Sequence, residues 1–167
     1  PEHTRESYVA AAAMGAGVIE CDVTFTRDKQ LVCRHAQDDL HTTTDILLTP
    51  LAARCAEPFR AAQFDAQGAL LAPAAALCRT SDITLAEFRT LRGKRDGFDP
   101  RARTVAAYVW GGKAASDPLG PGTGTLMSHA ESIALFRQLG VQMVPELKQP
   151  VVIMPYDGMS QQQFAQR

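Results

Sequence analysis

The run Val18-Ile19-Glu20-Cys21-Asp22-Val23, with the turn Thr26-Arg27-Asp28-Lys29 and the run Leu31-Val32-Cys33-Arg34-His35 behind it, decides the fold. Both apolar runs are short and bounded by polar turn residues, which predicts one strand over 18–23 and another over 31–35. Glu20 and Asp22 are two apart, so a strand projects both carboxylates from one face. Beside Val18 and Ile19, a pair of acids is costly unless something positive compensates it. A hard divalent cation with oxygen ligands would do so. An exposed edge strand with solvated acids needs no cation, and from this pair alone it is the simpler reading.

Upstream, Thr4 is a suitable N-cap and Glu6 complements the positive end of a helix dipole. The Ala-rich run from Tyr8 to Met14 then predicts a helix ended by Gly15 and Gly17. Downstream, Ser128-His129-Ala130-Glu131 is a capping box, and Ile133, Leu135, Phe136 and Leu139 supply an apolar face. Gly140 stops that helix, and Val141 to Leu147 reads as a strand. Helix, glycine stop and strand with a late glutamate thus occur twice, which predicts a parallel α/β architecture. Ser160 to Gln163 opens a further helix.

Between 41 and 125, Pro, Gly and Ala interrupt every pattern. Only Thr84-Leu85-Ala86-Glu87 signals a helix there, running to near Gly93. The organisation expected is therefore tripartite. Residues 1–40 hold the first helix and strands, 41–125 form a long insertion or capping segment, and 126–167 hold the next helix–strand unit and the start of another.

Composition narrows the function classes. The 167 residues carry a net charge of −1 with Lys and Arg scattered, which gives no electrostatic footprint for nucleic acid or a membrane surface. No apolar run approaches the roughly 20 residues that cross a bilayer. Cys21, Cys33, Cys55 and Cys78 lack zinc-type spacing. Cys21 and Cys33 lie in apolar runs and read as buried free thiols. Cys55 and Cys78 flank a loop-like stretch, where a disulfide and two free thiols both stay open.

His35 closes one apolar run, and Glu146 closes another with Lys148 two residues on. Strand C-termini are where parallel barrels gather their active sites, so these residues with Glu20 and Asp22 form a constellation. The constellation resembles the glycerophosphodiester phosphodiesterase family. There a Glu-x-Asp strand is followed by a Lys/Arg-Asp-Gly turn and a strand ending in histidine. Pro1-Glu2-His3-Thr4 resembles that family's Pro-Glu-Asn-Thr helix entry, Thr42-Thr43-Thr44 its Arg-Thr-Thr segment, and Pro145-Glu146-Leu147-Lys148 its Glu-(Ile/Leu)-Lys strand.

The resemblance implies part of a TIM (β/α)8 barrel and hydrolysis of a small-molecule glycerophosphodiester to an alcohol and glycerol 3-phosphate. It implies a divalent cation, Ca2+ or Mg2+, held by Glu20, Asp22 and Glu146. His35 resembles one of two catalytic histidines. Lys148, also counted as catalytic, resembles the lysine facing the phosphate. The larger exported bacterial members imply a periplasmic or secreted protein. Alternatives are a phospholipase C- or D-like lipid phosphodiesterase on the same fold, or a non-catalytic metal-binding barrel fragment.

Three departures shape the expectation. The family's His-Arg-Gly strand is not among these residues, and His3, at a helix start in place of asparagine, is not expected to substitute for its histidine. Ala36 follows His35 where many members have aspartate, and neither Asp38 nor Asp39 is expected to take over. A whole barrel needs about 250 residues, so only about three of eight strands are expected here, and without the His-Arg-Gly strand the chain by itself is expected to be inactive.

Overall fold

A computed structural model describes residues 1–112 and 122–167. Helix α1 (Arg5–Ala13) is capped by Thr4, whose side chain accepts from the Ser7 N–H while Ser7 Oγ accepts from the Thr4 N–H. Strand β1 (Val18–Phe25) runs two residues past the expected stretch, and β2 (Leu31–Cys33) stops two residues before His35.

The chain continues through α2 (Leu40–Thr43), β3 (Glu57–Arg60), β4 (Gln63–Phe64), β5 (Leu70–Ala72), β6 (Ala75–Leu77), α3 (Leu85–Phe88), β7 (Arg92–Gly93), α4 (Val105–Trp110) and β8 (Gly124–Thr125). It ends with α5 (His129–Leu139), β9 (Gln142–Leu147) and α6 (Gln161–Ala165).

The principal sheet has the order β2-β1-β9. β2 lies antiparallel to β1, with Val23 opposite Cys33. β9 lies parallel to β1, with Glu20 opposite Val144 and Asp22 opposite Glu146. A parallel pair needs a crossover, and α5 supplies it. Ser128 and Glu131 cap α5 reciprocally, and Gly140 closes it in the left-handed conformation. Among the described residues these strands form an open α/β sheet rather than a closed barrel.

Strand alternation gives β1 two different faces. Ile19, Cys21, Val23 and Phe25 are buried with Tyr8, Leu135, Phe136 and Phe164 from the helices. The rings of Tyr8 and Phe136 meet edge-on at 4.8 Å. Glu20, Asp22 and Thr24 take the opposite face. Among the described residues β9 is an edge strand of this sheet, and there Val144 is 50% and Leu147 46% exposed.

Three expectations need correction. The 41–125 stretch, of which 113–121 lie outside the described residues, contains β-ribbons: β3 with β6, β4 with β5, and β7 with β8. Strands of two to four residues are too short to show an alternating pattern, so sequence periodicity missed them. They surround a second core containing Leu40, Ile46, Phe88, Leu91, Tyr108 and Val109. The helix after Thr84 is a single turn, α3, because the backbone re-extends into β7 at Arg92 instead of continuing to Gly93.

Cys21 and Cys33 are not free thiols but a disulfide. The β1–β2 register puts Cys33 opposite Val23, so Cys21 and Cys33 are diagonal neighbours on one face, with Cα atoms 5.4 Å apart. That separation suits a disulfide. Cys55 and Cys78 form a second one, leaving no free cysteine.

Two outcomes follow. Replacing Cys55 and Cys78 together by alanine releases a link spanning 23 residues and lowers stability by about 3 kcal/mol in urea unfolding. Alkylation of the unfolded, unreduced protein labels no cysteine. The second outcome concerns Glu131. Burial pulls its carboxyl upward, but the Ser128 N–H and hydroxyl and the Arg89 guanidinium outweigh burial and hold it below the ordinary value of 4.5. An acid depressed in the folded state stabilises above its unfolded value and loses that contribution as pH falls through its folded one. Glu131→Gln is therefore less stable than the parent at neutral pH, and the gap closes below pH 4.5 in urea midpoints taken across pH.

Candidate metal centre

Parallel register brings the acids together. Asp22 and Glu146 are partners across β1 and β9. With Glu20 they offer carboxylate oxygens that all lie within 4.8 Å of one another. Asp22 is buried, while Glu20 and Glu146 are exposed.

The two oxygens of Asp22 differ. Oδ2 lies 3.0 Å from His3 Nε2. Oδ1 is buried without a hydrogen bond, and its nearest cation is Lys148 Nζ at 3.7 Å. Leaving a buried polar atom unmet costs about 1–3 kcal/mol, more for a charge. A cation among the three acids could meet it, so the donors present fit a hard divalent ion: all are oxygens, and one makes no hydrogen bond.

Charge on these groups follows from their surroundings. Burial raises the Asp22 carboxyl most; Lys148 opposes this and Glu146 reinforces it. Glu146 is held below its ordinary range by Lys148, whose Nζ donates to its Oε1 at 2.9 Å. The same contact raises Lys148. Lys148 thus sits against the acids themselves.

His35 lies two residues beyond β2, exposed, and close enough to act electrostatically on His3, Asp22 and Glu146. Its loop is tied down from both sides. Asp39 accepts the Ala36 N–H at 3.1 Å and the Thr43 hydroxyl at 3.3 Å, so its carboxylate serves the turn. Gln37 Oε1 accepts the Val151 N–H at 2.8 Å, joining the His35 loop to the segment after β9.

Sequence reasoning missed two members of the site. His3 was set aside as a helix-start residue, yet it reaches Asp22. Burial, with the Arg34 charge second, pushes its imidazole down to about 4. Arg34 was read only as part of a strand. It is wholly buried, none of its guanidinium nitrogens has a hydrogen bond, and it ion-pairs with Asp39 at 3.5 Å and Glu2 at 3.6 Å. A charged residue inside an apolar run was the available signal for Arg34. For His3 there was none in the spacing.

Carboxylates from two parallel strands, with a lysine just beyond β9 and a histidine beyond β2, make a cluster on one face of a mixed α/β sheet, an arrangement that barrel enzymes also use. The chain belongs to the glycerophosphoryl diester phosphodiesterase family, whose model matches residues 1–164.

Solved structures agree on the fold. One described as a glycerophosphoryl diester phosphodiesterase from Silicibacter pomeroyi aligns at TM-score 0.54 and 23% identity, over 90% of this chain and 42% of that one. Another so described, from Agrobacterium tumefaciens, gives 0.51 and 20%, over 98% and 41%. An "Extracellular protein" of Arthroderma benhamiae is 45% identical over 74 residues, 43% of this chain and 30% of that protein. The chain spans less than half the length of each of these relatives. No helix among the described residues is long and apolar enough to cross a membrane.

Proposed function

We propose that this chain provides the metal-binding face and one acid–base histidine of an enzyme that hydrolyses glycerophosphodiesters to an alcohol and glycerol 3-phosphate. The observation that carries this reading is the convergence of Glu20, Asp22 and Glu146, which offer carboxylate oxygens within 4.8 Å of one another, together with a buried Asp22 oxygen that makes no hydrogen bond. Family membership supports a phosphodiester as what that cluster acts on.

A divalent ion held there, Ca2+ or Mg2+, would polarise the phosphoryl oxygens and stabilise charge as it develops. Glu20, Asp22 and Glu146 would be its ligands. Lys148, paired with Asp22 and Glu146, lies where its ammonium would meet a phosphate oxygen once a cation neutralised those acids. His35, exposed beside the acids, moves a proton to or from the attacking hydroxyl or leaving alkoxide, the task an imidazole suits near neutral pH. We assign 41–125, whose buried residues share a second core with Val32, Leu40 and Leu126, to a capping segment that sets the preference for the leaving alcohol.

Two disulfides are expected in an oxidising compartment. With the partial match to an extracellular protein, they support export, whether to a periplasm or outside the cell.

The test is calorimetric titration of the chain with CaCl2 and MgCl2, alongside hydrolysis of glycerophosphocholine by the chain and by any longer polypeptide containing it. Asp22→Ala and Glu146→Ala are expected to abolish saturable binding. They should also lower metal-dependent turnover about 100-fold or more, since even outer partners of a metal site are worth about 10–100-fold. Unchanged metal-dependent turnover in Asp22→Ala overturns the assignment.

A further inference from the structure

The turn before α1 holds an unusual residue. His3 has φ 50, one of few non-glycine residues here in the left-handed region. That conformation suits Asn, Asp and His better than other side chains. The turn is locked by Thr4, whose hydroxyl donates to the Pro1 carbonyl at 2.9 Å. The left-handed backbone at residue 3 accompanies an imidazole that crosses to β1.

Both ring nitrogens are engaged. Nε2 lies 3.0 Å from Asp22 Oδ2, and Nδ1 lies 2.9 Å from the hydroxyl of the buried Tyr8. An ionised carboxylate only accepts, so Nε2 carries the proton. In a neutral ring Nδ1 then accepts, and the Tyr8 hydroxyl donates to it. Tyr8 is fixed in turn by its edge-on contact with Phe136. A chain of directed bonds therefore runs from the helix core to one oxygen of Asp22 and leaves the other oxygen for the acid cluster.

We propose that His3 is a positioning residue for the metal centre: Tyr8 sets its tautomer, and its Nε2–H fixes the Asp22 carboxylate so that Oδ1 faces Glu20 and Glu146. The inference rests on the proposed function, because it assigns His3 a purpose only if those acids hold a cation. His3 is not itself a ligand, since neither nitrogen is free. Outer hydrogen bonds of this kind orient ligating groups, and their loss typically weakens metal binding about 10–100-fold.

The test compares Ca2+ and Mg2+ affinities by calorimetry in the unsubstituted chain and in His3→Asn, His3→Gln and Tyr8→Phe. Asparagine tolerates the left-handed backbone, but its amide takes the place of Nδ1 and falls short of Asp22. His3→Asn is expected to keep the native circular dichroism and bind about 10-fold more weakly. Glutamine carries an amide N–H to the position of Nε2 and is expected to restore most of the affinity, a rescue that a merely structural residue would not show. Tyr8→Phe removes only the tautomer-setting donor and is expected to weaken binding less than His3→Asn.

Equal affinity in His3→Asn and the unsubstituted chain overturns the role of His3 while leaving the acid cluster intact as a metal site. Weak binding in both His3→Asn and His3→Gln, with native folds, also overturns it. No binding by the unsubstituted chain overturns the metal reading and this inference together. Should His3→Asn fail to fold, unaltered affinity in Tyr8→Phe overturns the proposal.

Discussion

The parallel pairing of β1 with β9 is the constraint on which the rest of the molecule depends. Hydrogen bonds between these strands put Asp22 beside Glu146 and Glu20 beside Val144, and a slip of one residue would turn Glu146 to the other face. The register is held from behind. Ile19, Cys21, Val23 and Phe25 bury against α1, α5 and α6, so any slip would expose that apolar set. The acids on the front are thus placed by the hydrophobic effect acting at the back.

The back of the sheet is also where the Cys21–Cys33 disulfide lies. It links the strand carrying Glu20 and Asp22 to the strand leading into His35. Cys21 alternates with the two acids, so the covalent tie and the candidate ligands occupy opposite faces of consecutive residues. Near the bond, His129 at the start of α5 brings Nδ1 to 3.4 Å from Cys21 Sγ. Strand, hairpin and crossover helix therefore meet behind the site.

In front, electrostatics rather than packing sets the arrangement. Three carboxylates within 4.8 Å repel one another, and Lys148 offsets this in part. Arg34 adds a second, wholly buried positive charge that reaches Glu2 and Asp39. Its field, with burial, keeps His3 neutral, and a neutral ring suits a residue that must donate at one nitrogen and accept at the other.

Local patterns were enough for much of this chain. The capping box at Ser128, the helix opening at Ser160 to Gln163, glycine stops, and period-two spacing in Glu20–Asp22 and Glu146–Lys148 marked the helices, the strands and the acids, because each arises from residues only a few positions apart. The β-ribbons within 41–125 were hidden because strands of two to four residues carry no period. Tertiary structure alone decided the Cys21–Cys33 bond, the approach of His3 to Asp22 and the burial of Arg34. Each depends on strand pairing and packing that no periodic pattern encodes, even where, as with Cys21 and Cys33 or Arg34 and Asp39, the partners lie within 12 residues of each other in sequence.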